Sequence, residues 1–581
     1  MLHPETNIQE ASMTNGFGEL QPLLRLKRTK QQQQQQQDHY YYYYFSSGKR
    51  TIEEDDDDHD EEDDILHPKD DDILLPRQEL QLYRIENMAV PACYLAVGIV
   101  QGLVGPLLNV YPIDLGATEA AQMTLSTVVI LPATFKIMYG FLSDSLPIRG
   151  ARRKPYMLLG WLLVSATMVS LWMTSNLSMD YQYDEEEHNI LEENKEGSNS
   201  YGNHLYHKPI PPSFAPSIES LMGSFLLLGV GLWMADVMGD SLVAEKARLE
   251  PEHLKGNLQS SCYACRFFGM MVGAPLSTYL YSSYGPQSIV MTLVIVPVTL
   301  VPLILLLRDD KPVRTQTVQD RMNDIWTTVK SRAVWQPMAF VFLFNCLQVP
   351  NGAFRQFQKT VLQFTEAQMN YLLVVSYALL YLGTLIYKHF FLRTSWRRVY
   401  EVCIILNGIF SAMQLLLITG NTFGLSPLLF ALGDDAFAEF IRGIQFLPCT
   451  IMLVNLCPEG SEGASYALFT TFNNSALLLA PAISTTLLGI WDVSTPALES
   501  GNVSGMFKLS ILTTILQMTP LLILSWLPQS SKELDDLNHR PYSGSVLGGT
   551  VFLSVAGFSM LYIFVVAALN ILCPGWAGES R

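Results

Sequence analysis

The chain has 581 residues, 49% of them hydrophobic and 16% charged, with a formal net charge of −17. Two runs account for the acidity: residues 53–72 carry fourteen acids and one Lys, residues 180–196 carry eight acids and one Lys, and the remainder is about +3. The charge therefore describes a tail and a loop rather than a substrate preference. With no basic stripe or aromatic-interleaved patch, nucleic-acid binding has no support.

Residues 1–86 read as a disordered cytoplasmic tail. They hold seven consecutive Gln (31–37), five consecutive Tyr (40–44) and the first acidic run, with no apolar periodicity to bury. No signal-peptide core is present there, so the first apolar stretch must act as the insertion signal. Glu19 with Leu23 and Leu24, and Asp70 with Leu74 and Leu75, have the form of acidic dileucine sorting signals. The expected membrane is the plasma membrane or a vacuolar or endosomal one.

Apolar stretches near 89–112, 119–143, 155–175, 216–243, 259–284 and 287–307 are each long enough to cross about 30 Å of hydrocarbon. They form an N-terminal six-helix half, 87–307, with an acidic outside loop at 176–215. A charged cytoplasmic connector, 308–332, leads to a second half, 333–528, with spans near 333–360, 366–390, 397–419, 425–457, 462–491 and 504–527. The tail 529–581 contains a charge-free stretch, 546–572, that reads as a thirteenth membrane helix.

With the N-terminus cytoplasmic, the loops 149–154, 246–255, 308–332 and 388–398 fall inside and hold most cations outside the tail. The outside loops are acidic or neutral and carry glycosylation sequons at Asn176 and Asn502, so charge bias and sequons agree. All eight cysteines lie in or beside apolar stretches, which implies no disulfide framework. Cys262 and Cys265, three apart within a span, read as small-residue helix packing.

The halves repeat weakly. Ala274-Pro275 in the fifth span matches Ala480-Pro481 in the eleventh. Gly140 followed by Arg152 and Arg153 matches Gly383 followed by Arg397 and Arg398. Two parallel six-span repeats are the layout of the major facilitator fold, an all-α membrane bundle whose solute site lies at mid-membrane between the halves.

Several ionisable groups fall inside spans, where a charge costs on the order of 2.5–3.5 kcal/mol unless it is paired or wetted. Lys136 is in the second span, and Asp236 and Asp240 share one face of the fourth. Arg266 is in the fifth, and Asp434, Glu439 and Arg442 are in the tenth. Asn473 lies midway along the eleventh, near the position matching Arg266. Two carboxylates on one face repel unless a donor or proton intervenes, so these residues are candidates for substrate binding or proton coupling. The competing reading is ion pairing that only holds the bundle together. The loop after the second span supplies a candidate gate: Gly140, Asp144, Arg152 and Arg153, with Glu245 and Arg248 near the end of the fourth span. A carboxylate that pairs in one conformation and releases in another is what a switch requires.

Two longer segments, KIMYGFLSDSLPI (136–148) and DVMGDSLVAEKAR (236–248), resemble the second- and fourth-span signatures of the folate–biopterin transporter family, a branch of the major facilitator superfamily. Leu258-Gln259-Ser260, LGDD (432–435), LCPEGSEG (456–463) and Asn473-Asn474 are similar to its fifth, tenth and eleventh spans. The likeness covers about 88–527. It implies folate or pterin transport, often proton-coupled, with no cofactor. A pterin presents an amino group beside a ring N–H, which one carboxylate, Asp236 or Asp240, can accept together. The glutamate tail of a folate suits Lys136 or Arg266. The other partners are membrane lipid and the coupling proton.

Two alternatives stay open: a major facilitator carrier of another small organic solute, and a non-transporting receptor or scaffold built around the long tail. An enzyme has the least support, because no hydrophilic segment holds a nucleophile–base constellation, metal-ligand spacing or phosphate loop. His188, His204 and His207 sit in the acidic loop and read as solvated rather than as a metal site.

Overall fold

The computed structural model describes residues 85, 87–115, 119–193, 216–247, 250–251, 254–308, 318–457, 462–539 and 544–572. The polar tail expected over 1–86 therefore lies almost wholly outside the described residues. Helices before the connector are α1 (Ala89–Leu103), α2 (Glu119–Ile130), α3 (Lys136–Ser145), α4 (Lys154–Glu193), α5 (Ile218–Ala247), α6 (Asn257–Tyr284) and α7 (Pro286–Leu306). The connector holds α8 (Val318–Lys330). After it come α9 (Arg332–Leu347), α10 (Phe354–Thr360), α11 (Glu366–Ile386), α12 (Trp396–Ile418), α13 (Pro427–Asn455), α14 (Glu462–Leu488) and α15 (Ser504–Met518). The chain ends on α16 (Ser531–His539) and α17 (Val546–Leu572). Among the described residues the bridges outside helices are two isolated pairs, Ile148 with Ala151 and Ser331 with Gly544.

Among the described residues, ten segments are long and apolar enough to cross a membrane. Three expected spans are not in that set. Helix α9 has 16 residues before the helix lapses at 348–353. Helices α6 and α14 have 28 and 27 residues, so length does not exclude them. They carry Gln259 and Arg266, and Thr470, Thr471, Asn473 and Asn474, polar groups that lower hydropathy because they face protein rather than lipid. Helix α4 also differs from expectation. It runs 40 residues to Glu193, through the first part of the segment expected as the 176–215 loop. At 1.5 Å per residue that is about 60 Å, roughly twice the hydrocarbon thickness.

Two local features position the core. Pro132 lies in a 3-10 turn, Leu131–Phe135, that interrupts the second span. The next residue, Lys136, starts α3 and is buried. Helices α1 and α6 cross where each carries a Gly-x-x-x-Gly pair, Gly98 with Gly102 and Gly269 with Gly273. A Cβ at Gly98 would collide with the carbonyl of Arg266, and one at Gly269 with the carbonyl of Leu95. The paired glycines let the backbones touch, which is how helices associate when lipid is as apolar as leucine.

Helix α17 has a narrow buried face (Phe552, Ser559, Ile563 and Val566) and a broad exposed apolar one. The buried face touches α2 on one side and α8, α9 and α14 on the other. The Phe552 ring stacks on Phe472 at 4.0 Å, the Phe564 ring meets Phe135 at 5.9 Å, and the Tyr562 hydroxyl lies 2.7 Å from that of Thr486. Its start is tethered by the N–H of Ser545, which donates to the Lys330 carbonyl at 2.8 Å.

Gly98→Ala should force α1 and α6 apart and destabilise the protein by about 1–3 kcal/mol, the usual cost of overpacking. Gly105→Ala, where a Cβ meets nothing within 4 Å, should be neutral. Melting of the detergent-solubilised protein, followed by size exclusion, compares the two.

Candidate functional site

Four ionisable side chains from three helices meet in the bundle interior. Lys136 comes from the first turn of α3, Asp236 and Asp240 from one face of α5, and Arg266 from the tenth position of α6. All four are buried. Lys136 Nζ lies 2.6 Å from Asp236 Oδ2 and 3.4 Å from Asp240 Oδ2. Arg266 donates to Asp236 Oδ1 at 2.9 Å and to Gln101 Oε1 of α1 at 3.2 Å. Two cations thus balance two carboxylates, unequally. Asp236 takes a close contact from each cation. Asp240 takes one long ionic contact, and its nearest donor is the Tyr94 hydroxyl at 2.5 Å. Removing one member of a buried set strands its partner at a cost of about 3–5 kcal/mol, so Asp236 is the keystone and Asp240 the less compensated acid.

Aromatic rings wall this cluster. Trp233, one turn before Asp236, lies 5.0 Å from Lys136 Nζ and 5.8 Å from the Arg266 guanidinium, and its N–H donates to the Val129 carbonyl at 3.0 Å. Tyr263 meets Tyr94 at 5.2 Å and Phe446 of α13 at 4.7 Å. The Tyr466 hydroxyl of α14 approaches that of Tyr263 at 3.5 Å. The flat faces and the charged groups together suit a planar polar solute better than a simple ion.

The remaining candidates of the second half stand apart. Arg442 pairs with Glu439 on its own helix at 2.7 Å, and its side chain is 65% exposed. That pair is not joined to the four-charge cluster. Asn473 accepts from Asn345 of α9 at 2.5 Å. This pair echoes Arg266 with Gln101, without the charge. The side chain of Asp434 lies outside the described residues.

Of the candidate gate residues, Gly140, Asp144, Arg152, Arg153 and Glu245 come together. Arg153 is completely buried and donates to Ser143 Oγ at 2.6 Å and to Glu245 Oε1 at 2.7 and 3.1 Å; it also pairs with Asp144 at 2.6 Å. Burial alone would lower its pKa, but the carboxylates of Asp144 and Glu245 outweigh that and raise it, so the guanidinium stays charged. Arg152 lies farther off, 3.5 Å from Glu245 and 4.0 Å from Asp144. Asp144 Oδ2 accepts the N–H of Ala464 at 2.8 Å, in the first turn of α14. A carboxylate from α3 therefore caps a helix after the connector and faces the positive end of its dipole. Glycine is required on both sides of this joint. A Cβ at Gly140 would lie 2.7 Å from the Ala467 Cβ, and one at Gly463 would lie 2.5 Å from the Arg153 guanidinium. At the opposite seam Lys388 donates to Ser261 at 2.8 Å. Arg248 lies outside the described residues.

The matching glycine and arginines do not build a second latch. Gly383 packs on the backbone of Phe440 in α13, and Arg397 turns to the carbonyls of Leu527 and Ser525. Of the sequons, Asn502 is exposed and accepts from Ser504 at 3.0 Å. Asn176 falls within the helical span of α4, with its side chain outside the described residues. Among the described residues, no three His, Cys, Asp or Glu side chains converge as metal ligands. Sequence reasoning missed Tyr94, Tyr263, Tyr466, Gln101 and Trp233 as site residues. In an apolar helix each reads as core.

The BT1 family model matches residues 98–182 and 213–543. A protein named folate-biopterin transporter from Synechocystis sp. is 22% identical over 463 residues, covering 78% of this chain and 84% of that one. One named probable folate-biopterin transporter 5 from Arabidopsis thaliana is 23% identical, covering 68% of this chain and 74% of that one. Among solved structures, the major facilitator proton:xylose symporter XylE superposes with a TM-score of 0.53 at 12% identity, covering 78% of this chain and 98% of that one, which speaks for the fold alone. The chain therefore belongs to the BT1 family and is a multi-pass membrane protein with the major facilitator fold.

Proposed function

We propose that this protein is a secondary transporter that carries a folate or a pterin across a membrane by alternating access, with protons as the coupling ion. The observation that carries the reading is the buried, self-neutralised set Lys136, Asp236, Asp240 and Arg266 against an aromatic wall. A solute with a donor edge and an anionic tail enters such a set by exchanging partners. Its tail takes Lys136 or Arg266, and its amino and ring N–H groups take the carboxylate thereby freed. Each ion pair is replaced rather than lost, so the desolvation cost of opening the cluster is offset. Asp240, the less compensated acid, is assigned the proton. The names of the relatives support the solute class.

Alternating access rests on the latch. Here Asp144, Arg153 and Glu245 join α3, the residue before α4, and α5 to the first turn of α14, contacts that in this reading shut the bundle at the end where the 146–153 loop lies. In this reading that end is cytoplasmic, the N-terminal tail lies on the same side, and transport requires the latch to part.

Vesicles holding the purified protein should accumulate labelled folate or biopterin when a pH gradient is imposed, and unlabelled pterins should compete. Absence of both uptake and competition would sink the solute assignment. Asp144→Asn should weaken a charge-assisted contact by about 2 kcal/mol, shifting the open-to-closed ratio roughly 30-fold and slowing transport. Cysteine accessibility at the latch end reads that shift directly. Asp236→Asn should deplete folded protein, because two buried cations would share one acid. Asp240→Asn should still fold but lose gradient-driven accumulation.

A further inference from the structure

Asp240 is joined to α14 by a chain of buried hydroxyls. Its Oδ1 accepts from Tyr94 at 2.5 Å and from Tyr263 at 3.5 Å. The Tyr263 oxygen lies 3.5 Å from that of Tyr466, and the Tyr466 oxygen accepts from Gln259 Nε2 at 2.9 Å. The two 3.5 Å links are long, whereas the two end links are tight. Each phenol has one proton. Since Gln259 donates to Tyr466, the Tyr466 proton is free to point at Tyr263, and the Tyr263 proton at Asp240. Every donor then runs one way and ends on the carboxylate. At the head of the chain, Gln259 Oε1 is buried with no hydrogen-bond partner among the described residues. A glutamine that wastes its acceptor in a buried site is costly unless another state uses it.

Protonated Asp240 supplies that state. It becomes a donor, Tyr263 turns to accept from it, and Tyr466 turns in its place. The Gln259 amide then rotates so that Oε1 accepts the Tyr466 hydroxyl. Each phenol keeps its own proton and rotates about its C–O bond, so only the proton taken up by Asp240 is added. In the inverted chain Gln259 Oε1 gains a partner while Nε2 gives its own up, and the chain has lost the charge assistance that roughly doubles hydrogen-bond strength. Tyr466 is the member supplied by α14, and it stands two residues from Ala464, whose N–H is held by Asp144. The charged and titratable groups around Asp240 are Asp236 on its own helix, Lys136 on α3, Cys93 and Tyr94 on α1, Cys262, Tyr263 and Arg266 on α6, and Tyr466 on α14.

We propose that Tyr263, Tyr466 and Gln259 form a reversible hydrogen-bond chain whose direction follows the protonation of Asp240, and that Tyr466 is the positioning residue through which this state reaches the latch. The inference rests on the proton-coupled reading but not on the identity of the solute. Its test therefore needs no solute. Spin labels at residues 148 and 398, exposed near the latch end before and after the connector, report the separation there in protein held in lipid nanodiscs.

In the parent protein the distance distribution should widen as pH falls, and Asp240→Asn should abolish that response. Tyr466→Phe keeps the ring and removes the hydroxyl. It should shrink the pH-dependent population shift about tenfold, within the usual range of coupling between sites. Gln259→Leu, which removes the acceptor at the head of the chain, should act in the same direction and serves if Tyr466→Phe does not fold. Tyr562→Phe, which removes the α17 hydroxyl that meets Thr486 of α14, should leave the response intact. A parent that ignores pH would overturn the proton-coupled reading and this inference with it. A normal parent response that survives in both Tyr466→Phe and Gln259→Leu would overturn the chain alone.

Discussion

Asp236 is gripped from two sides, by Lys136 at 2.6 Å and by Arg266 at 2.9 Å, in a place where water is excluded. Much of the first half of the bundle is arranged to make that grip tolerable. The 3-10 turn at 131–135 delivers Lys136 to the start of a helix. The glycine crossing of α1 and α6 brings the Arg266 backbone against α1, where Gln101 steadies the guanidinium. Trp233 lays its ring beside both cations. A carboxylate satisfied this fully is a fixed point, and it leaves its neighbour Asp240 with the weaker share of positive charge. The asymmetry between two acids one helical turn apart follows from which partners reach them, not from their own chemistry.

The two ends of the polar network converge on one short stretch of α14. Ala464 is held by Asp144, Tyr466 touches the charged cluster through Tyr263, and Thr471 accepts the N–H of Ile137, the residue after Lys136. About two turns of one helix thus meet the latch, the acids and the residue beside the lysine. At the opposite seam Lys388 donates to Ser261. The polar contacts of the halves are lopsided: the four-charge cluster lies before the connector, and the neutral pair of Asn345 with Asn473 lies after it.

Much of this was legible in the sequence where spacing alone forces a geometry. Asp236 and Asp240 share a face because four residues make about one turn, and Gly140 precedes Asp144 by the same interval, so a close approach and a cap arrive together. Partners drawn from other helices were not legible. Tyr94, Tyr263 and Tyr466 lie in apolar runs, and nothing local distinguishes a packed tyrosine from one whose hydroxyl meets a carboxylate. The partner of Arg442 was open for a related reason. A cation in a span has many ways to be satisfied, and Glu439 on its own helix, or a helix end, serves as well as a ligand. The extension of α4 to Glu193 was hidden by composition, since acids at the end of an apolar helix look like the start of a loop.

The last helix rests on aromatic rings from both sides of a seam, Phe135 before the connector and Phe472 after it. It also packs on α2, but its hydrogen bonds among the described residues, from Tyr562 to Thr486 and from Ser545 to Lys330, run to elements at or beyond the connector. Stacked rings can slide past one another, whereas a hydrogen bond must break. When the halves rock, α17 should ride as a passenger of the later half while Phe564 skids across Phe135. The chain thus carries its own greased bearing beside the lysine that anchors its central acids.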